Sequence, residues 1–79
     1  MKIVVDRTYA ASITAALASL EAEFEASRPE TVVVADDSDA ALAAALVATK
    51  LLIPLEATGE AKADSPNGRV LAQLASSGT

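Results

Sequence analysis

Acidic residues lie at or just after the ends of the three segments of this 79-residue chain that are predicted to form β-strands. Asp6 follows the first segment, Asp36 and Asp37 follow the second, and Glu56 lies near the end of the third. In open α/β sheets, ligands bind at the carboxyl ends of the strands, so we expect these carboxylates to lie at one edge. They could hold Mg²⁺ or shift one another's pKa to supply an acid and a base. The alternative, which we favour, is that these acids end strands and that Asp37 or Ser38 caps a helix.

The residue types exclude several other kinds of site. The chain has no histidine, so Ser38 cannot work in a Ser-His-Asp mechanism, and it has no cysteine. The loop after the first strand, DRTYAAS, contains no glycine and matches neither GxGxxG nor a P-loop. Arg69 could reach the carboxylate edge, although a surface role is favoured. Asp6, Ser38 and Arg69 are therefore the candidate ligand-binding residues, and we predict neither a metal site nor a cofactor.

These residues must be positioned by alternating strands and helices. Short apolar runs without polar alternation predict buried parallel strands, and apolar residues at steps of three and four predict helices. We expect the second helix to run from about Asp39 to Leu51, with Leu42, Leu46 and Val47 as its apolar face. We predict strands at 3–5, 31–35 and 52–56, a first helix capped by Thr8 and ended by Pro29, and a last helix that starts at Ser65-Pro66.

The predicted fold class is α/β, with a small three-stranded parallel sheet in the order β-α-β-α-β-α, like half of a Rossmann fold. We predict that residues 1–75 form a single domain and that residues 76–79 form a flexible tail. The valine-rich second strand favours a central position, and because crossovers are right-handed both crossover helices then cover one face. The other face needs the last helix or another copy of the chain, so we expect a homodimer.

Composition narrows the class of partner. The net charge of −5 and the scattered basic residues argue against nucleic acid and against anionic membrane surfaces. No apolar run approaches the roughly 20 residues of a transmembrane helix. The N-terminus MKIVVDR has too few apolar residues for a signal peptide. Together with the absence of cysteine, this predicts a cytoplasmic protein.

The segment VVVADDSDAALAAALVATKLLIP, residues 32–54, carries a resemblance to a known family. It resembles part of the N-terminal domain of the non-hydrolysing UDP-N-acetylglucosamine 2-epimerases, which share the two-domain architecture of GT-B glycosyltransferases. Arg28-Pro29-Glu30 before this segment and Pro66 to Leu71 after it echo further family segments. The resemblance places the family's catalytic aspartate at Asp37 and its catalytic glutamate at Glu56.

The same comparison shows where this chain departs from the family. Ala35-Asp36 stands in place of the family's His-Gly, and the second domain that holds most of the nucleotide is not in this sequence. Because a family enzyme works in a cleft between two domains, we expect no enclosed site here and lean against an enzyme. The preferred interpretation is a small non-catalytic domain that self-associates or binds a protein partner. The alternative is a sugar-nucleotide-binding or epimerase-like enzyme completed by oligomerisation.

Overall fold

The computed structural model describes residues 1–77 of the chain as alternating strands and helices. The strands are β1 (Lys2–Val5), β2 (Thr31–Val34) and β3 (Leu55–Ala57), and the helices are α1 (Ile13–Ser27), α2 (Asp39–Lys50) and α3 (Pro66–Ser77). The three strands form one parallel sheet. The predicted α/β fold with the order β-α-β-α-β-α is therefore confirmed.

The central strand of the sheet is β2, and the strand order is β1-β2-β3. This is the order that the run of valines in β2 favours, because a central strand has neighbours on both edges and helices against its face. Val4, Val33 and Glu56 lie level with one another across the three strands. Since side chains alternate between the two faces along a strand, these three residues share one face of the sheet.

The other face of the sheet is buried beneath α2. Val5, Val32, Val34 and Leu55 alternate with the exposed positions and are all buried. The helix α2 contacts all three strands and lies between α1 and α3. Six of its seven buried residues are alanines, whereas Leu46 is 39% exposed. The small alanine side chains let α2 approach the sheet and both neighbouring helices closely, so the predicted packing role of Leu46 was wrong.

The helix α1 packs against α2 and buries Leu20 and Phe24. It begins later than the sequence pattern predicts, because Ser12 caps it by accepting a hydrogen bond from a backbone N–H of its first turn. The predicted cap, Thr8, instead donates its hydroxyl and its backbone N–H to the carboxylate of Asp6. The loop after β1 is therefore longer than expected and is organised by its own aspartate.

The turn after α2 shortens the third strand. Ile53 donates its N–H to the carbonyl of Ala48 at 2.8 Å, and Leu52 donates to Thr49 at 3.2 Å. These two bonds form a Schellman motif, which requires a left-handed residue after the helix. Leu52 occupies that position with φ of 60° and is 90% exposed. The prediction of a strand from Leu52 was wrong at its start, because these residues close α2 and the strand begins at Leu55.

The helix α3 packs along α2 and β3 and buries Leu71. Its first turn contains Gly68, where a Cβ atom would lie 2.0 Å from the carbonyl oxygen of Ala63. Only glycine allows this approach, which seats the start of α3 against the preceding loop. The helix extends to Ser77, and residues 78 and 79 of the predicted tail lie outside the described residues.

Candidate functional site

Asp36, at the carboxyl end of β2, is the buried acid of the predicted cluster, with only 7% of its surface exposed. Its Oδ2 atom accepts hydrogen bonds from the backbone N–H of Arg7 at 2.9 Å and from the Arg7 Nε at 3.1 Å. Its Oδ1 atom accepts from the backbone N–H of Ser38 at 3.0 Å. Burial raises the pKa of Asp36, but the hydrogen bonds from Ser38 and Arg7 outweigh burial and lower the pKa to about 2.

This ionised carboxylate joins the loop after β1 to the loop after β2. Arg7 was not among the predicted site residues. The only sequence signal for it was a basic residue directly after the first strand. The guanidinium of Arg7 also lies 3.9 Å from Oδ1 of Asp37, while its own side chain is 70% exposed. The positive charge of Arg7 therefore lies close to the carboxylates of both Asp36 and Asp37.

Asp6, which follows β1, forms hydrogen bonds within its own loop. Its Oδ1 atom accepts hydrogen bonds from both the hydroxyl and the backbone N–H of Thr8. These bonds lower the pKa of Asp6 below its ordinary value of 3.8. Because Asp6 and Asp36 both remain ionised at neutral pH, neither is suited to donate a proton as a general acid.

Asp37 connects the loop after β2 to the start of α3. The hydroxyl of Ser65 donates to its Oδ2 atom at 2.8 Å. The side-chain amide of Asn67 donates to the Asp37 carbonyl at 3.0 Å and to Oδ1 of Asp39 at 2.9 Å. Sequence reasoning missed Ser65 and Asn67 as site residues. The helix-start signal at Ser65-Pro66 was the available indication, because it places polar side chains at the first turn of α3.

Ser38 and Arg69, the remaining candidates for ligand binding, have structural partners. Ser38 is the N-cap of α2, and its hydroxyl accepts the backbone N–H of Ala41 at 3.2 Å. Arg69 donates to Asp64 at 2.8 Å, and both of these side chains are largely exposed. The cap role was one of the alternatives for Ser38, and the surface role was the favoured one for Arg69.

Glu56 lies on the face of the sheet opposite α2. Its carboxylate is 3.7 Å from the ammonium group of Lys2, across the central strand. Glu56 also lines a cavity of about 650 Å³ together with Val33, Lys62 and residues of α3 that include Ala72 and Ala75. This cavity borders the β3 side of the sheet, so Glu56 is surrounded by different groups from those that surround Asp37.

The side of the sheet opposite α2 is the second candidate surface. We call it the open face, and it consists of Lys2, Val4, Thr31, Val33 and Glu56. Val4 is 63% exposed, although it lies in a strand of a parallel sheet. Parallel sheets are usually covered on both faces, so an exposed valine at this position is unusual.

The carboxylate edge connects loops through hydrogen bonds. Asp37 and Glu56, the two candidate catalytic residues, have different partners: Ser65 and Arg7 contact Asp37, and Lys2 contacts Glu56. Within residues 1–77, no group of three or more histidine, cysteine or acidic side chains could hold a metal ion. The hydrogen bonds of Asp36 and Asp37 instead connect three loops at one edge of the sheet.

In the part of the chain that the structure describes, no helix is long and apolar enough to cross a membrane. No protein-family model matches the chain, and no curated protein or solved structure matches it at a significant level. The resemblance to the epimerases therefore stays a prediction from the residues that carry it.

Proposed function

We propose that this chain is a small non-catalytic domain that self-associates, or binds a protein partner, through its open face. The observation that carries the proposal is the 63% exposure of Val4 on the sheet face opposite α2. Covering the exposed part of Val4 would stabilise a complex by about 1–2 kcal/mol per copy through burial of apolar surface.

The layout of the core supports this proposal. All the strand residues that are fully buried lie on the side of α2, where α1 and α3 flank that helix. A chain of this size buries only about 60–65% of the surface of its unfolded form, so its core is small. Small domains of this kind often gain stability by association. The open face is the surface where association would add a second apolar layer to the same sheet.

The carboxylate edge supports the non-catalytic part of the proposal. An acid or base that works in catalysis needs a pKa near the working pH and a free position beside the substrate. Asp36 is held with a pKa of about 2 by its hydrogen bonds. Asp37 accepts a hydrogen bond from Ser65 that helps hold α3 in place.

The test is the mass of the protein in solution over a micromolar to millimolar concentration series, measured by light scattering. We expect the wild type to shift from monomer toward dimer as concentration rises, and Val4→Lys to remain monomeric with an unchanged circular dichroism spectrum. Leu52→Lys is the matched control, because Leu52 is also exposed and apolar but lies in the turn after α2. A wild type that is monomeric throughout would contradict self-association.

A second candidate is sugar-nucleotide binding by an epimerase-like enzyme that oligomerisation completes. The cavity of about 650 Å³ beside Glu56 favours it, because this volume is within the range of small-molecule sites and Lys62 could pair with a phosphate. Calorimetry with UDP and UDP-N-acetylglucosamine tests it, with Lys62→Gln expected to weaken binding and Lys50→Gln, outside the cavity, as the control. An absence of heat at millimolar ligand would remove this candidate.

A further inference from the structure

The open face carries opposite charges on its two sides. Lys2 lies on β1 and Glu56 on β3, with Thr31 and Val33 of the central strand between them. The ammonium and carboxylate groups are 3.7 Å apart above β2, and both side chains are more than half exposed. The face is therefore neutral as a whole, and the net charge of −5 is carried by the rest of the chain. Because the open face is neutral, two such faces can approach each other although each chain carries a net negative charge.

The two sides of the open face also differ in shape. Val4 is 63% exposed on the β1 side. On the β3 side, the surface recedes into the cavity of about 650 Å³, whose apolar lining includes Ala57, Ala72 and Ala75. The exposed Val4 is complementary to the alanine-lined part of this cavity, whereas Glu56, Thr58 and Lys62 line its polar part. Val4 and the cavity belong to one molecule but lie on opposite sides of the central strand, so one copy of the chain cannot join them.

Taking the proposed function as its basis, we propose that the partner is a second copy of this chain, related by a twofold axis that runs parallel to β2 between two stacked open faces. This axis places β1 of each copy over β3 of the other, and β2 over β2. Lys2 then meets the partner's Glu56, and Val4 meets the cavity beside the partner's α3. Every such contact occurs twice, as a twofold interface requires.

The alternative twofold axis, which runs across the strands, is disfavoured by charge. It would place β1 over β1 and β3 over β3, so that Lys2 faces the partner's Lys2 and Glu56 faces the partner's Glu56. Like charges brought together at an interface oppose association. Three strands are about 14 Å wide and four residues are about 13 Å long, so the interface is small. We therefore expect a weak dimer that depends on concentration.

Charge reversal tests the orientation. In the proposed dimer, Lys2→Glu and Glu56→Lys each turn two attractive contacts into repulsive ones, so each variant alone should dimerise at least about 10-fold more weakly than the wild type. The double variant Lys2→Glu/Glu56→Lys restores both contacts and should recover wild-type dimerisation. An equimolar mixture of the two single variants should form a heterodimer. Sedimentation velocity at low ionic strength measures all four samples, since salt screens these contacts.

The control is a second exposed ion pair on the opposite side of the protein. Glu21 of α1 pairs with Lys50 of α2 on the helix layer. Lys50→Glu and Glu21→Lys change the net charge by the same amounts as the two variants of the open face. We expect them to leave dimerisation within about 2-fold of the wild type.

The outcomes separate this inference from the proposed function. A wild type that is monomeric at every concentration overturns both. A wild type that dimerises while the single variants dimerise equally well, or while the double variant fails to recover, overturns the inferred orientation and leaves self-association in place. Circular dichroism of each variant shows whether it has folded.

Discussion

Replacement of Asp36 by asparagine should make the stability of this protein less dependent on acid. Asp36 is 7% exposed, and its carboxylate accepts three hydrogen bonds from Arg7 and Ser38. Burial raises its pKa, but these hydrogen bonds outweigh burial and lower the pKa from 3.8 to about 2. One pKa unit corresponds to about 1.4 kcal/mol, so ionised Asp36 contributes about 2 kcal/mol to the free energy of unfolding at neutral pH.

The direction of the pH effect follows from the lowered pKa. Because the folded state holds the charged form more strongly than the unfolded state, the contribution is complete above the unfolded pKa of about 4. It is lost as pH falls toward the folded pKa of about 2. The difference in unfolding free energy between the wild type and Asp36→Asn should therefore shrink by about 2 kcal/mol between about pH 5 and pH 2.

Urea unfolding of both proteins across this pH range measures the difference. Asp64→Asn is the matched control, because the Asp64 side chain is 90% exposed and pairs with Arg69 at the surface. It should differ from the wild type by no more than about 0.5 kcal/mol at any pH. If the difference between the wild type and Asp36→Asn stays constant with pH, or if carboxyl NMR titrates Asp36 near pH 4, the reasoning about its hydrogen bonds is refuted.

Two further predictions concern the backbone. Gly68→Ala should lower the free energy of unfolding by about 1–3 kcal/mol, although alanine is the better helix former, because its Cβ would meet the Ala63 carbonyl at 2.0 Å. Gly59→Ala, with open space around the new Cβ, should stay within about 0.5 kcal/mol in the same urea titration, and equal effects at both glycines would contradict the role of close approach. Leu52→Gly should raise the free energy of unfolding by about 0.5–1 kcal/mol, because it removes a left-handed leucine from the Schellman turn. Thermal unfolding checks this, with Leu46→Gly on the exposed side of α2 expected to lower stability by about 1 kcal/mol, and a destabilised Leu52→Gly would show that Leu52 makes a necessary contact.

The elements of the fold could be predicted because their signals are local. The valines of β2 form an uninterrupted buried run, and Ser65-Pro66 marks the start of α3. Ser38 was one of the expected caps of α2. These features depend on the conformational preferences of neighbouring residues, which the sequence states directly.

The predicted starts of β3 and α1 were wrong, because two local signals competed at each of them. Leu52 and Ile53 are apolar and suit a strand, but their backbone N–H groups satisfy the last carbonyls of α2 instead. Thr8 suits a helix cap, but it bonds to Asp6 two residues earlier, and Ser12 takes the cap. In both places, the hydrogen bonds that these residues form with nearby backbone or side-chain groups decided which of the two local structures formed.

The sequence by itself determined the alternation of strands and helices, the central place of β2 and the presence of acids at the ends of the strands. Only the tertiary structure decided what those acids do. Asp36 and Asp37 are separated from Arg7 by 29 and 30 positions along the chain, and Asp37 lies 28 positions from Ser65. Such partners are selected by the packing of α2 and α3 on the sheet, which no local pattern encodes. The same packing leaves Val4 of the open face exposed, and for this reason a surface rather than a set of carboxylates carries the proposed function.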